Sequence, residues 1–214
     1  MPSMKLHYFD GRGTGETTRL LLKATRTEFE DMRYTFDQFK ELKAAGTFAS
    51  NLDRLPALEV DGVMIGQSKT CERFVAKHVG MAGTNPLEEG LIDAVCEHKR
   101  DLRDAYQPAN KMEKGSEERA AAEKKYFEED MPAFLEKVDR ALPEAPGPWL
   151  VGPSMSLADV AWFQLLVEFF DKEAEQAGVQ AALAKAPRMK AALDAVLANA
   201  EIKAWRESRP AGMF

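Results

Sequence analysis

Two short apolar runs, "ALEV" (57–60) and "VMI" (63–65), flank Asp61-Gly62. That dipeptide is among the strongest signals for a tight two-residue hairpin, because both turn positions need positive φ. The antiparallel pair it forces constrains everything before it. "KLHYF" (5–9) reads as a strand, and "TGETTRLLLKATR" (14–26) places Leu20, Leu21 and Ala24 at helical spacing. "MRYTF" (32–36) alternates like a second strand, and "FKELKAAG" (39–46) is a short helix stopped by Gly46. Beyond the hairpin, Ser68 opens a helix holding Cys71, Phe74 and Val75 and ended by Gly80. The order β-α-β-α-β-β-α implies a small mixed sheet with helices on its faces.

"GMAGTNP" (80–86) is linker-like, and the texture then changes. The segments 87–112, 117–141, 156–174 and 187–198 all read helical, with a short turn near 201–206. The expected layout is an α/β domain over 1–81 followed by an all-helical domain over 87–214. "GSEERAAAEKKYFEED" (115–130) mixes charge signs in the manner of a solvated helix face with i,i+4 pairs. In "MSLADV" (155–160), Ser156 can cap the N3 backbone N–H while Asp159 reaches back and Met155 staples onto Val160. This is a device of fold stability.

A net charge of −6 argues against a general grip on nucleic acid, which needs a basic face. No run approaches the roughly 18 apolar residues of a membrane span, and "MPSMKLHYF" lacks the layout of a secretory signal. Cys71 and Cys96 stand far apart and in no CxxC arrangement, which suits a reducing cytosol and rules out a dithiol redox centre or a cysteine metal site.

The stretch "KLHYFDGRGTGETTRLLL" (5–22) carries a strand into a helix through glycines, a common way to present a ligand. From the residues alone, Tyr8 at the strand's end can be packing or chemistry. Gln67 and Ser68 stand where free N–H groups, a hydroxyl and the helix dipole make an anion site, and Ser68 can equally be a simple N-cap. The peptide before Pro56 can be cis or trans.

Taken together in order and spacing, "KLHYFDGRG", "LPALEVDG…GQSKT" and "SLADV" resemble a cytosolic glutathione S-transferase, and within that family the sigma class. The resemblance implies a thioredoxin-like N-terminal domain with glutathione lying across its strand ends. It implies that the Tyr8 phenol O–H donates a hydrogen bond to the glutathione sulfur in its thiolate form. A free thiol has a pKa of about 8.5, and only the thiolate attacks electrophiles. Lowering that pKa by about two units takes roughly 2.7 kcal/mol of preference for the anion, which a charge-assisted hydrogen bond and a helix N-terminus can supply. The resemblance further implies a cis Leu55–Pro56 peptide that turns the Leu55 backbone toward glutathione. Gln67 and Ser68 would take the γ-glutamyl carboxylate, and Lys43 and Arg54 the glycyl end. In the sigma pattern, Asp101 reaches the ligand's ammonium group across a homodimer interface.

Some positions depart from that pattern. Phe39 stands where a tryptophan is common, removing an indole donor, and Thr14 stands where an arginine often assists the thiolate. Arg100 replaces an acid that belongs to a divalent-ion site in prostaglandin-isomerising members, which argues against metal activation. Candidates for the acceptor side are Phe9, Gly13, Thr14, Arg100 and Asp104, with Arg103, Gln107, Met213 and Phe214 nearby in the pattern. Such a lining suits a small polar or amphipathic electrophile. The implied activity is a glutathione transferase. The competing readings are a glutathione-dependent isomerase or peroxidase of the prostaglandin D synthase kind, and a non-catalytic carrier or crystallin-like protein that keeps the fold.

Overall fold

The computed structural model describes residues 2–212. The chain falls into two compact units, Gly83–Leu197 and the described residues on both sides of it.

The first unit holds a four-stranded sheet. Strand β1 (Met4–Phe9) leads through a single 3₁₀ turn (Gly13–Gly15) into helix α1 (Glu16–Ala24). Strand β2 (Glu30–Tyr34) and helix α2 (Phe36–Ala44) repeat the motif, and β3 (Ala57–Val60) and β4 (Val63–Gly66) close the sheet before helix α3 (Ser68–His78). The strand order is β2-β1-β3-β4, with β1 parallel to β2 and the other pairs antiparallel. This is the mixed sheet expected. Its hairpin turn places Asp61 at φ 48° and Gly62 at φ 83°, the left-handed pair that a type I′ turn requires.

Two boundaries differ from expectation, both because of Thr35. The second strand ends at Tyr34 rather than at 36, and α2 begins at Phe36 rather than at 39. Thr35 Oγ1 accepts from the Gln38 N–H at 3.2 Å, and Gln38 Oε1 accepts from the Thr35 N–H at 2.9 Å. This capping box turns an alternating run into a helix start.

The second unit is helical. It contains α4 (Pro86–Lys111), α5 (Glu117–Lys125), α6 (Met131–Ala141), α7 (Leu157–Phe163), α8 (Glu173–Leu183) and α9 (Pro187–Leu197). The expected helix over 117–141 is continuous but widens to π geometry over Tyr126–Asp130. Pro132 lies just beyond, without an N–H to give and with a ring that crowds the preceding turn, and a widened turn relieves both. The expected helix over 156–174 stops at Phe169 after its own π stretch (Gln164–Phe169), and α8 follows as a separate element. Gln176 ends the earlier helix by donating from Nε2 to Leu166 O at 2.8 Å and to Phe170 O. The Asp159 carboxylate accepts from Ser156 N at 2.7 Å, Ser156 Oγ at 2.8 Å and Leu150 N at 2.8 Å, so the expected helix entry also ties down the incoming loop. Trp162, fully buried, donates from its indole to Val95 O at 3.0 Å and pins α7 to α4.

The chain then returns to the first unit. Helix α10 (Ala200–Ser208), read from the sequence as a short turn at the end of the helical domain, packs on α1.

Candidate active site

Tyr8, the last residue but one of β1, lies on the same face as Leu6, two residues back, and its ring lies against the turn into α1. Its phenol oxygen accepts from the Thr14 backbone N–H at 3.1 Å and meets Thr14 Oγ1 at 3.2 Å. The ring fits there because two neighbours lack side chains. A Cβ on Gly15 would stand 2.7 Å from the ring, and one on Gly13 would stand 2.4 Å from the phenol oxygen. Gly13 also holds φ at +37°, a conformation that L side chains rarely adopt.

Behind Tyr8 is a buried ionic network that the sequence did not reveal. The Arg19 guanidinium lies 5.7 Å from the Tyr8 ring centroid. It donates to Gly11 O at 2.6 Å, Phe9 O at 3.4 Å, Asp31 Oδ1 at 2.9 Å and Glu16 Oε2 at 3.2 Å. Glu16, with no exposed surface, also accepts from Trp205 Nε1 and Arg209 Nη1, each at 2.9 Å. Arg33 joins Asp31 at 2.8 Å and Asp10 at 3.1 Å. Glu16, Asp31 and Asp10 thus face Arg19, Arg33 and Arg209, so the buried charge is balanced, as a low dielectric demands. The only sequence hint was Glu16 and Arg19 at i,i+3 in the first turn of α1.

A second cluster collects at the same end of the sheet, where His7 pairs with Ala57 and Ala57 with Gly66. The Leu55–Pro56 peptide is cis, as the resemblance implies. Leu52 and Asp53 both adopt positive φ in the loop before it. Asn51, another residue missed in the polar "ASNLDR" loop, is 4% exposed and holds this corner together. Its Nδ2 donates to Arg54 O at 2.7 Å and Pro56 O at 3.0 Å, and its Oδ1 accepts from the Gln67 N–H at 3.2 Å. Gly66 is required alongside, since a Cβ there would stand 1.9 Å from Asn51 Oδ1.

Gln67, not Ser68, is the N-cap of α3; it sits at φ 69° and ψ 119° and makes no side-chain cap bond. Ser68 is the first helical residue, so the reading of Ser68 as the cap is corrected. The Gln67 side chain therefore leaves the first-turn N–H groups of α3 uncapped, an arrangement suited to an anion. Lys43, in the last turn of α2, and Arg54 both point charged groups into solvent.

Phe39 is half-buried in an aromatic cluster, its ring 5.1 Å from Phe9 and 6.0 Å from Phe48. Phe9 in turn packs on Phe36 at 5.0 Å and on the Tyr8 ring at 5.6 Å. On the same side His7 is buried, with Nδ1 2.8 Å from the Tyr34 hydroxyl and Nε2 3.3 Å from Glu59. Burial pushes the His7 pKa below its ordinary value despite the opposing pull of Glu59, and burial raises that of Tyr34. Cys71, buried and pushed up to about 12 by desolvation, is held as an inert thiol.

The remaining candidates lie on α4 in the helical unit. Arg100, Asp101 and Asp104 are exposed there, and Arg100 pairs with Glu97 at 2.6 Å. Arg103 lays its guanidinium over the Phe169 ring at 5.5 Å. Met213 and Phe214 lie outside the described residues.

Comparisons with known proteins agree with this arrangement. Residues 4–77 match the family described as glutathione S-transferase, N-terminal domain, and residues 100–209 match glutathione S-transferase, C-terminal domain. The chain is 32% identical to glutathione S-transferase 1 of Ascaris suum over 79% of this chain and 84% of that one. It is 31% identical to the hematopoietic prostaglandin D synthase of Gallus gallus over 98% of both. Among solved structures, a Nu-class glutathione S-transferase from Haemonchus contortus superposes over the full length of both chains, with TM-score 0.81 and 31% identity.

Proposed function

The chain belongs to the glutathione S-transferase family and is a glutathione transferase with glutathione as co-substrate; from that premise we propose that Tyr8 holds the glutathione sulfur as a thiolate for attack on an electrophile. One observation carries this reading. The phenol oxygen accepts a backbone N–H on its inner side. A phenol has a single proton, so with that lone pair engaged the proton is free to point outward. Donated to sulfur, it favours the anion over the thiol.

The rest of the tripeptide has complementary chemistry nearby in the same unit. The uncapped N-terminus of α3 suits the γ-glutamyl carboxylate, with the Ser68 hydroxyl beside it. The Leu55 backbone, beside the Asn51 bonds, suits strand-like pairing with the cysteinyl residue. Lys43 and Arg54 supply positive charge for the glycyl carboxylate. Phe39 offers apolar contact only, held as it is by Phe9 and Phe48.

The class is read as sigma, on the "KLHYFDGRG" and "GQSKT" stretches. The assembly is read as a homodimer in which Asp101 serves the neighbouring site; Leu52, 71% exposed beside the proposed glutathione corner, supports a covered surface. Sedimentation at the mass of one chain would remove the dimer. The location is read as cytoplasmic, which the free thiols of Cys71 and Cys96 support. The acceptor is read as a small polar or amphipathic electrophile; turnover of large apolar acceptors alone would overturn this.

Tyr8→Phe tests the mechanism. Loss of one oxygen is expected to raise the pKa of bound glutathione, followed by thiolate absorbance, by about two units, and to cut kcat/KM roughly 25-fold at neutral pH. An unchanged thiolate titration in Tyr8→Phe would assign the chemistry to another group.

A further inference from the structure

We propose that Arg209, near the far end of the chain, is a positioning residue: by satisfying Glu16 it leaves Arg19 to hold the backbone that runs on from Tyr8. This role presupposes the Tyr8 mechanism above and adds a distant residue to it. Glu16 stands in the first turn of α1 with no exposed surface, and its two oxygens serve different donors. Oε1 accepts from Trp205 Nε1 and from Arg209 Nη1, each at 2.9 Å. Oε2 accepts from Arg19 Nη1 at 3.2 Å. A helix formed by residues 200–208 and the arginine that follows it thus meet the start of α1 at one buried carboxylate.

Arg19 Nη1 is a shared donor. It gives a 2.6 Å bond to the Gly11 carbonyl and the longer 3.2 Å bond to Glu16, while Nη2 reaches Phe9 O at 3.4 Å. A carboxylate is ordinarily the stronger acceptor of the two. Glu16 tolerates the longer bond because Trp205 and Arg209 engage its other oxygen and Arg209 balances its charge. Without the Arg209 guanidinium, Glu16 is a buried anion whose remaining ionic partner among the described residues is Arg19. A low dielectric enforces that pairing. Arg19 Nε is already committed to Asp31 at 2.9 Å, so the donor that turns to Glu16 is the one on Gly11 O. Gly11 is buried and gives its own N–H to Phe9 O at 2.8 Å, in the connection between β1 and the turn on which the phenol rests. The chain beyond Arg209 presses on the same connection. A Cβ on Gly212 would stand 3.1 Å from Gly11 Cα and 3.2 Å from Asp10 O.

Arg209→Gln keeps a donor and removes the charge, whereas Arg209→Lys keeps the charge. Glutathione is added to each protein, to wild type and to Tyr8→Phe, and thiolate absorbance is titrated with pH alongside kcat/KM for a generic chloronitrobenzene. Arg209→Gln is expected to raise the bound thiol pKa by about half a unit, so that kcat/KM falls roughly two- to threefold near pH 6 and rejoins wild type near pH 9. Arg209→Lys should recover most of the wild-type profile. In the double variant Glu16→Gln with Arg209→Gln, the pull on Arg19 is gone, and the titration should return toward wild type whatever the urea midpoint does. A merely structural anchor gives the opposite, a double variant displaced further than either single one. An Arg209→Gln titration that overlays wild type overturns the proposal, and so does an equal loss of kcat/KM at every pH. If Tyr8→Phe shifts the titration and Arg209→Gln does not, only the role of Arg209 fails. If neither shifts it, the Tyr8 mechanism fails and takes this inference with it.

Discussion

Replacing Asn51 by alanine isolates the corner proposed to bind glutathione. The side chain is 4% exposed and makes three hydrogen bonds, two given to the carbonyls of Arg54 and Pro56 and one taken from the Gln67 N–H. A buried polar group left without a partner costs about 1–3 kcal/mol. The Pro56 carbonyl is deep enough to bear that cost in full, while the Arg54 carbonyl and the Gln67 N–H can recruit water. The expected loss is therefore about 2–4 kcal/mol, large against a typical total of roughly 5–15 kcal/mol. Urea unfolding measures it, and steady-state kinetics should show KM for glutathione rising while kcat at saturation holds, because Tyr8 is supported from β1 and the turn before α1. A double-mutant cycle with Gly66→Ala sharpens the test. Alone, that alanine puts its Cβ 1.9 Å from Asn51 Oδ1 and 2.4 Å from Asn51 Cγ. Both clashing atoms are gone in Asn51→Ala, so the two losses should fall well short of additive. Additive losses, or an Asn51→Ala loss under about 0.5 kcal/mol, would refute the bond inventory on which the reasoning rests.

The buried network and the sheet histidine give two further expectations. Glu16→Gln removes the charge facing Arg19 and Arg209; breaking a buried pair on one side should cost about 3–5 kcal/mol and leave α10 open to proteolysis. A protease-resistant α10 in that variant would show the charge to be dispensable. His7 is held neutral by burial, with its folded pKa below the unfolded value of 6.5. The unfolded state therefore binds its proton first as pH falls, and this contribution to stability is complete above 6.5 and lost on acidification below it. The urea midpoint should fall between neutral and mildly acid pH, and His7→Gln should fall less; parallel slopes would remove His7 as the cause.

Much of the fold was legible because its signals act over a few residues. Asp61-Gly62 could only be a hairpin turn, the Ser156–Asp159 box could only open a helix, and the apolar stripe of α1 could only face a sheet. Boundaries slipped where a local signal was read for its hydrophobicity and not for its hydrogen bonds, as at Thr35, where a run that alternates like a strand is ended by a threonine that caps α2. The helix break near 170 was missed because Gln176, which closes the earlier helix, looks from sequence like any exposed polar residue. The glutathione family was legible from the order of three motifs. The ionic network behind Tyr8 was not, since Arg19 and Glu16 draw their partners from β2 and from α10.

The amino-acid sequence by itself determined a mixed sheet followed by helices, because periodicity, turn dipeptides and caps are relations between near neighbours, and the resemblance of three of its motifs pointed to the glutathione transferase family. Tertiary structure alone decided that Asn51 would tie the cis-proline corner to α3, and that Glu16 would meet Trp205 and Arg209 from the far end of the chain. Those contacts depend on which groups are left without water once the sheet and helices close. A sequence does not display that demand; burial creates it, and only particular side chains, drawn from anywhere in the chain, can meet it.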